Sequence, residues 1–120
     1  MKKIMIADDE EMIRSLVSAT LEDDEYIIIE ASDGERALTL AQEEKPDLLL
    51  LDVKMPGKSG FEVCRTLKSD PKTKSVYIIM LTGQSRAKDI KEGKQAGADD
   101  YFTKPFSPLS LLKKIGSLLR

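Results

Sequence analysis

Short apolar runs and amphipathic stretches alternate along the whole chain of 120 residues. Five runs are rich in apolar, aromatic or β-branched residues, which is typical of β-strands. They lie at residues 4–7, 26–29, 48–51, 76–81 and 100–103. After each run, apolar positions recur at a spacing of three or four residues, which predicts a helix. The pattern therefore predicts five strands that alternate with five helices.

The runs at 48–51 and 76–81 are continuously apolar rather than alternating, as expected for central parallel strands that are buried on both faces. Ser32 and Glu35 have the spacing of a capping box, which predicts that the second helix opens there. The last helix is expected to begin near Pro108. The fold class predicted from these features is α/β, an open sheet with helices on both faces, in one domain over residues 1–120.

Composition narrows the possible functions. The chain has 19 Lys and Arg against 21 Asp and Glu, a net charge of −2 that argues against a broad nucleic-acid-binding surface. No apolar run approaches the length of a membrane-spanning helix, and Cys64, the single cysteine, is expected to be an inert buried thiol in a cytoplasmic protein. The absence of histidine excludes Ser-His-Asp and Cys-His catalysis and imidazole metal ligands.

Polar residues follow four of the five predicted strands. Asp8 and Asp9 follow the first strand, Asp52 the third, Thr82 the fourth and Lys104 the fifth. Open α/β sheets bind their ligands at this edge, and three aspartates meeting there would repel one another unless a cation such as Mg²⁺ were bound. An aspartate can also accept a phosphoryl group, whose charge an ammonium and a hydroxyl would stabilise. The residues therefore predict phosphoryl transfer onto an aspartate.

Each of these residues also has an ordinary structural interpretation. Asp8 and Asp9 could cap the first helix, and Asp52 could belong to a turn. Lys104 could be a solvated lysine and Thr82 a strand-end threonine. The phosphoryl-transfer interpretation is favoured because all four features occur together at the ends of successive strands.

Four motifs carry a resemblance to a known family. They are ADDE at 7–10, LDVKMPG at 51–57, LTG at 81–83 and YFTKPF at 101–106. In this order and spacing they resemble the receiver domain of two-component response regulators, close to the chemotaxis-type, CheY-like, single-domain form. The resemblance covers the whole chain and implies a flavodoxin-like (βα)5 fold with a parallel sheet of strand order 2-1-3-4-5.

The resemblance also implies a phosphoacceptor and a metal site. Asp52 would accept the phosphoryl group. Asp8, Asp9 and Asp52 would hold Mg²⁺, which Mn²⁺ can replace, together with the backbone carbonyl of Lys54. As in the family, the chain would be a regulator that catalyses only its own phosphorylation and slow dephosphorylation, rather than an enzyme acting on other substrates.

Further positions correspond to the family's switch. Thr82 and Lys104 would hold the phosphoryl group, and Tyr101 would be the aromatic residue that turns inward when Thr82 moves. Tyr101 could equally be an ordinary packing residue with a solvated hydroxyl. The bond before Pro105 would be cis. Gln84 would flank the path of the hydrolytic water.

The partners implied by the family are a sensor histidine kinase or a histidine phosphotransfer protein. Phosphorylation would change the surface around the fourth helix, fifth strand and fifth helix, which would control an output domain or partner. No direct binding to nucleic acid or membrane is expected of this domain.

Two alternative functions come from other classes. A dehalogenase-type Mg²⁺-dependent phosphohydrolase would need a second aspartate two residues after the nucleophile, but Lys54 occupies that position after Asp52. A module that keeps only the fold would not need the acidic cluster, Thr82 or Lys104. A dinucleotide-binding function is excluded because residues 7–10 contain no glycine-rich loop.

Overall fold

A computed structural model describes residues 2–21, 26–83 and 87–119. All strand pairs in its five-stranded sheet are parallel, and the order is β2-β1-β3-β4-β5. The strands are β1 (Lys3–Ala7), β2 (Ile27–Ala31), β3 (Leu48–Asp52), β4 (Tyr77–Thr82) and β5 (Asp100–Thr103). The order 2-1-3-4-5 that the resemblance implies is confirmed.

Five helices connect or follow the strands. They are α1 (Glu11–Leu21), α2 (Gly34–Glu44), α3 (Gly60–Ser69), α4 (Ala87–Ala96) and α5 (Pro108–Leu119). Buried residues of α1 and α5 belong to one apolar cluster, and buried residues of α2, α3 and α4 belong to another. Alternate residues of β3 enter the two clusters, since Leu49 and Leu51 lie in one and Leu48 and Leu50 in the other. Helices therefore cover both faces of the sheet, as predicted.

The start of α2 differs from the sequence prediction. Asp33, not Ser32, is the N-cap, and its carboxylate accepts a hydrogen bond of 2.8 Å from the amide of Arg36. The capping box predicted for Ser32 and Glu35 is therefore wrong. Gly34, the first residue of α2, lies close to the loop after β3, because a Cβ at this position would be only 1.9 Å from the carbonyl oxygen of Lys58.

A capping box does occur, at the start of α3. The hydroxyl of Ser59 accepts a hydrogen bond from the amide of Glu62, and the carboxylate of Glu62 accepts one from the amide of Ser59. These contacts satisfy amide groups that have no partner within the helix. They fix the end of the loop that begins just after Asp52.

Cys64 lies fully buried in α3, where its thiol contacts the carbonyl oxygen of Ala96 at 3.5 Å. Burial raises the pKa of Cys64 to about 11, so the thiol remains protonated near neutral pH. The expected inert thiol is consistent with this environment. Within the described residues, no helix is both long and apolar enough to cross a membrane.

Candidate functional site

The parallel register brings the ends of four strands to one edge of the sheet. Ala7 pairs with Leu51 across β1 and β3, and Asp52 pairs with Leu81 across β3 and β4. Thr82, at the end of β4, pairs with Thr103, which directly precedes Lys104. The predicted site residues that follow these strands therefore lie beside one another.

Lys104 lies at the centre of this edge. Its ammonium nitrogen is 2.7 Å from Oδ2 of Asp8, 3.4 Å from Oδ1 of Asp52 and 3.6 Å from Oε1 of Glu10. Burial alone would lower the pKa of Lys104, but the hydrogen bond and charge of Asp8, with the charges of Asp52 and Glu10, raise it. The lysine is therefore held in its charged form. The peptide bond between Lys104 and Pro105 is cis, the isomer that the resemblance implies.

Asp52 is a buried carboxylate at the end of β3. Burial, followed by the charge of Asp8, raises its pKa to about 6. The charge and hydrogen bond of Lys104 and a hydrogen bond from the backbone amide of Lys54 act in the opposite direction but do not cancel the rise. Since burial is the largest cause, Asp52 binds a proton more readily than an exposed aspartate does.

Asp8 is fully buried and uses its two carboxylate oxygens differently. Oδ1 accepts a hydrogen bond of 2.9 Å from the amide of Glu10, which forms a local turn before α1 begins. Oδ2 forms an ion pair with the ammonium of Lys104 at 2.7 Å and accepts no further hydrogen bond within the described part of the chain. The helix-start interpretation of Asp8 therefore accounts for one oxygen, whereas the other pairs with Lys104.

Asp9 is exposed and contributes to an acidic group with Asp8 and Glu10, in which one carboxylate oxygen of each residue lies within 4.8 Å of the others. Hard divalent cations prefer such oxygen ligands. Three carboxylates share the single ammonium of Lys104, so this edge can accommodate further positive charge. The residues present therefore fit a magnesium ion.

An open cleft of about 570 Å³ lies above these carboxylates. Its lining contains Asp9, Glu10, Asp52, Val53, Lys54, Gly83, Lys88, Asp89 and Lys104. Three charged residues of this lining, Glu10, Lys88 and Asp89, are not among the predicted site residues. Glu10 directly follows the two aspartates in the sequence, and this position was the available signal. Lys88 and Asp89 carry no local signal, because only the folding of α4 brings them to the cleft.

Thr82 and Tyr101 occupy different positions relative to the cluster. Thr82 is buried at the end of β4, and its carbonyl oxygen accepts a hydrogen bond of 2.7 Å from the amide of Lys104. Tyr101 is half-buried, and its hydroxyl donates to the carbonyl oxygen of Ile90 in α4 at 3.0 Å. The structure thus connects Tyr101 to α4 rather than to the carboxylates. Gln84 lies outside the described residues.

Comparison with known proteins gives consistent matches. The sequence profile of the response regulator receiver domain family matches residues 4–116. The chain is similar to the solved chemotaxis response regulator CheY4 of Vibrio cholerae, with 38% identity, a TM-score of 0.92 and coverage of 99% of both chains. It is also similar to the alkaline phosphatase synthesis transcriptional regulatory protein PhoP of Bacillus subtilis, with 46% identity over 120 residues.

A third relative is the phosphate regulon transcriptional regulatory protein PhoB of Pseudomonas aeruginosa, which is 43% identical over 119 residues. Each curated match covers 99% of this chain but only 49% of PhoP and 52% of PhoB, so the chain spans about half the length of these relatives. All four strand-end motifs lie within the residues that the family profile matches. The chain therefore belongs to the family of response regulator receiver domains, the phosphoacceptor signalling modules of two-component systems.

Proposed function

We propose that Asp52 is the phosphoacceptor of this receiver domain and that Lys104, Thr82 and a bound Mg²⁺ assist the transfer. The observation that carries the proposal is the position of the Lys104 ammonium, which lies 2.7 Å from Asp8 and 3.4 Å from Asp52. This contact links the first, third and fifth strand ends at one point. It supports a shared chemical role for residues that are far apart in the sequence.

In the proposed reaction, a carboxylate oxygen of Asp52 attacks the phosphorus of a partner's phosphohistidine. The nitrogen–phosphorus bond breaks, its electron pair returns to the imidazole, and an acyl phosphate forms on Asp52. Lys104 and the hydroxyl of Thr82 stabilise the charge on the phosphoryl oxygens. Asp8, Asp9, Asp52 and the carbonyl of Lys54 would hold Mg²⁺, which supplies positive charge to carboxylate and phosphoryl oxygens when bound.

The partners of this reaction follow from the family. A sensor histidine kinase or a histidine phosphotransfer protein supplies the phosphoryl group, since this chain contains no histidine. The chain regulates rather than turns over a substrate, because the phosphoryl group stays on Asp52 until it is hydrolysed slowly. These roles are part of the proposal.

The signal is proposed to leave through the surface formed by α4, β5 and α5. Tyr101 in β5 is bonded to Ile90 in α4, and Asp100 at the start of β5 forms an ion pair with Lys114 in α5. These contacts join the three elements, so a shift at Thr82 or Lys104 can alter their mutual packing. Output is then a change in the affinity of this surface for a partner or domain.

The test is incorporation of phosphate from acetyl phosphate in the presence of Mg²⁺. Asp52→Asn is expected to abolish incorporation, because an amide cannot form the acyl phosphate. Asp47→Asn is the matched control, since Asp47 lies just before the same strand and its carboxylate accepts a hydrogen bond from the amide of Lys3, away from the proposed site. Undiminished incorporation by Asp52→Asn would overturn the assignment.

A further inference from the structure

The turn at residues 31–34 runs from the last residue of β2 to the first residue of α2 and carries no side chain of the proposed site. Its main chain nevertheless contacts both segments that do. The carbonyl oxygen of Ala31 accepts a hydrogen bond of 3.1 Å from the amide of Asp8, and the amide of Gly34 donates one of 3.2 Å to Pro56. The turn therefore bridges the segment after β1 and the loop after β3.

The contact at Gly34 is closer than any other residue would allow. A Cβ on Gly34 would lie 1.9 Å from the carbonyl oxygen of Lys58 and 2.6 Å from its carbonyl carbon. These are main-chain atoms, so no side-chain rotation can relieve the overlap. The first residue of α2 is thus in close main-chain contact with the loop of residues 53–59.

The same loop is held at both of its ends. The amide of Val53 donates to Leu81 at 3.2 Å, and the amide of Gly60 donates to Val53 at 2.9 Å. A Cβ on Gly60 would lie 2.0 Å from the carbonyl oxygen of Asp52. Both ends of the loop are thus fixed against the sheet, and Gly34 contacts its middle at Pro56 and Lys58.

We infer that the turn at residues 31–34 is a positioning element for the magnesium site, with Gly34 as its main positioning residue. Its two hydrogen bonds set the distance between the backbone of Asp8 and the loop that carries Lys54. Ligands of a cation must be held within a few tenths of an ångström, and groups that orient them strongly affect affinity. The inference rests on the proposed function, because it assumes that Asp8 and the carbonyl of Lys54 are ligands.

The test is the Mg²⁺ affinity of the folded protein, measured by calorimetric titration with MgCl₂. Gly34→Ala is expected to weaken binding by about tenfold, the effect typical of a lost supporting contact around a metal. A purely structural role for Gly34 would lower the melting temperature without changing the affinity of the folded molecules. Unchanged affinity in folded Gly34→Ala would therefore overturn the inference.

A second pair of variants, with smaller expected effects on folding, tests the inference if Gly34→Ala does not fold. Asp33→Ala removes the N-cap and loosens the first turn of α2, whereas Asp33→Asn loses the charge but keeps a capping side chain. Asp33→Ala is expected to weaken Mg²⁺ binding by about threefold, and Asp33→Asn is expected to bind like the unsubstituted chain. Equal affinities of the two variants would overturn the inference.

Asp70→Ala provides a control for a lost local hydrogen bond. The carboxylate of Asp70 accepts from the amide of Lys72 in the turn before β4, at the opposite edge of the sheet, so this variant should bind Mg²⁺ normally. Equal weakening in Asp70→Ala and Asp33→Ala would overturn the inference. Failure of the proposed function would look different, because the unsubstituted chain would then bind no Mg²⁺, and the inference would fall with it.

Discussion

Two lysines with nearly equal exposure lie at opposite edges of the sheet, and their surroundings differ. The side chain of Lys68 is 16% exposed and that of Lys104 is 13% exposed. Lys68 approaches the edge where β4 and β5 begin, next to Val76 and Asp99. Lys104 lies at the edge where the strands end. Burial alone does not distinguish the two residues.

The contacts of Lys68 are balanced in charge and in hydrogen-bond donors and acceptors. Its ammonium has three N–H donors, and three oxygens lie close to it: Oδ2 of Asp99 at 2.7 Å and the carbonyl oxygens of Val76 at 2.6 Å and Lys74 at 3.0 Å. The same Asp99 oxygen also accepts from the amide of Ile78. One carboxylate and one ammonium thus complete a neutral, hydrogen-bonded network that connects α3 with β4 and β5.

The contacts of Lys104 are not balanced in charge. The carboxylates of Asp8, Asp52 and Glu10 all lie within 3.6 Å of its single ammonium. Clusters of like charge around a buried partner are concentrated at functional sites. The difference between the two lysines is therefore in charge balance, which supports the proposed site at Lys104.

The largest effect is expected from Lys104→Ala. Loss of a charged donor to the transferred group should lower the rate of phosphorylation by acetyl phosphate by about a hundredfold or more. The rate is measured at saturating Mg²⁺, with Lys68→Ala as the variant of matched burial. A comparable loss of rate in both variants would show that burial, and not charge balance, sets the difference.

Lys68→Ala should instead lower stability. Removal of its ammonium leaves the Asp99 carboxylate and two carbonyl oxygens without their donor, at a cost of about 2 kcal/mol in the free energy of unfolding. Urea denaturation measures this change. Lys72→Ala is the control, since Lys72 is exposed in the same region and its loss should have little effect. A stability equal to that of the control would contradict the structural role of Lys68.

The smallest effect is the pH dependence of stability at Asp52. Because the pKa of Asp52 rises from 3.8 in the unfolded chain to about 6 in the folded chain, the folded state binds the proton more tightly. Its contribution to stability is thus complete below the unfolded value and is lost as pH rises through about 6.

The substitution Asp52→Asn removes this loss of stability at higher pH. In buffer containing EDTA at about pH 7.5, the variant should be more stable than the unsubstituted chain by about 1 kcal/mol. The gain is limited to this size because the amide also loses the attraction of Lys104. The advantage should disappear as pH falls from about 6 towards 3.8. Urea denaturation across this range provides the measurement. A difference that is constant with pH would contradict the raised pKa.

The central strands could be predicted closely from the sequence, and the edge strand less so. The run at 48–51 is apolar at every position, and the strand found is Leu48–Asp52. The second strand was predicted at 26–29 but spans Ile27–Ala31. It pairs only with β1, and Ile27 is exposed, so fewer of its positions are constrained to be apolar.

The position of the site could be predicted because it depends only on where strands end. Asp8, Asp52 and Lys104 are brought together by parallel pairing. The start of α2 was predicted one residue too early, since the local pattern of Ser32 and Glu35 favours a capping box, whereas Asp33 is the N-cap and Gly34 contacts the distant loop at Lys58. Contacts between segments distant in sequence leave no periodic pattern in either one.

The two outer strands of the sheet, β5 and β2, affect how the protein behaves at high concentration. At one edge, β5 has only four residues and carries at its start the ion pair of Asp100 with Lys114. At the other edge, β2 presents the exposed carboxylate of Glu30, which pairs with Arg14. Short strands and charged side chains make poor templates for addition of a further strand. Concentrated solutions of the folded domain should therefore resist aggregation by strand addition.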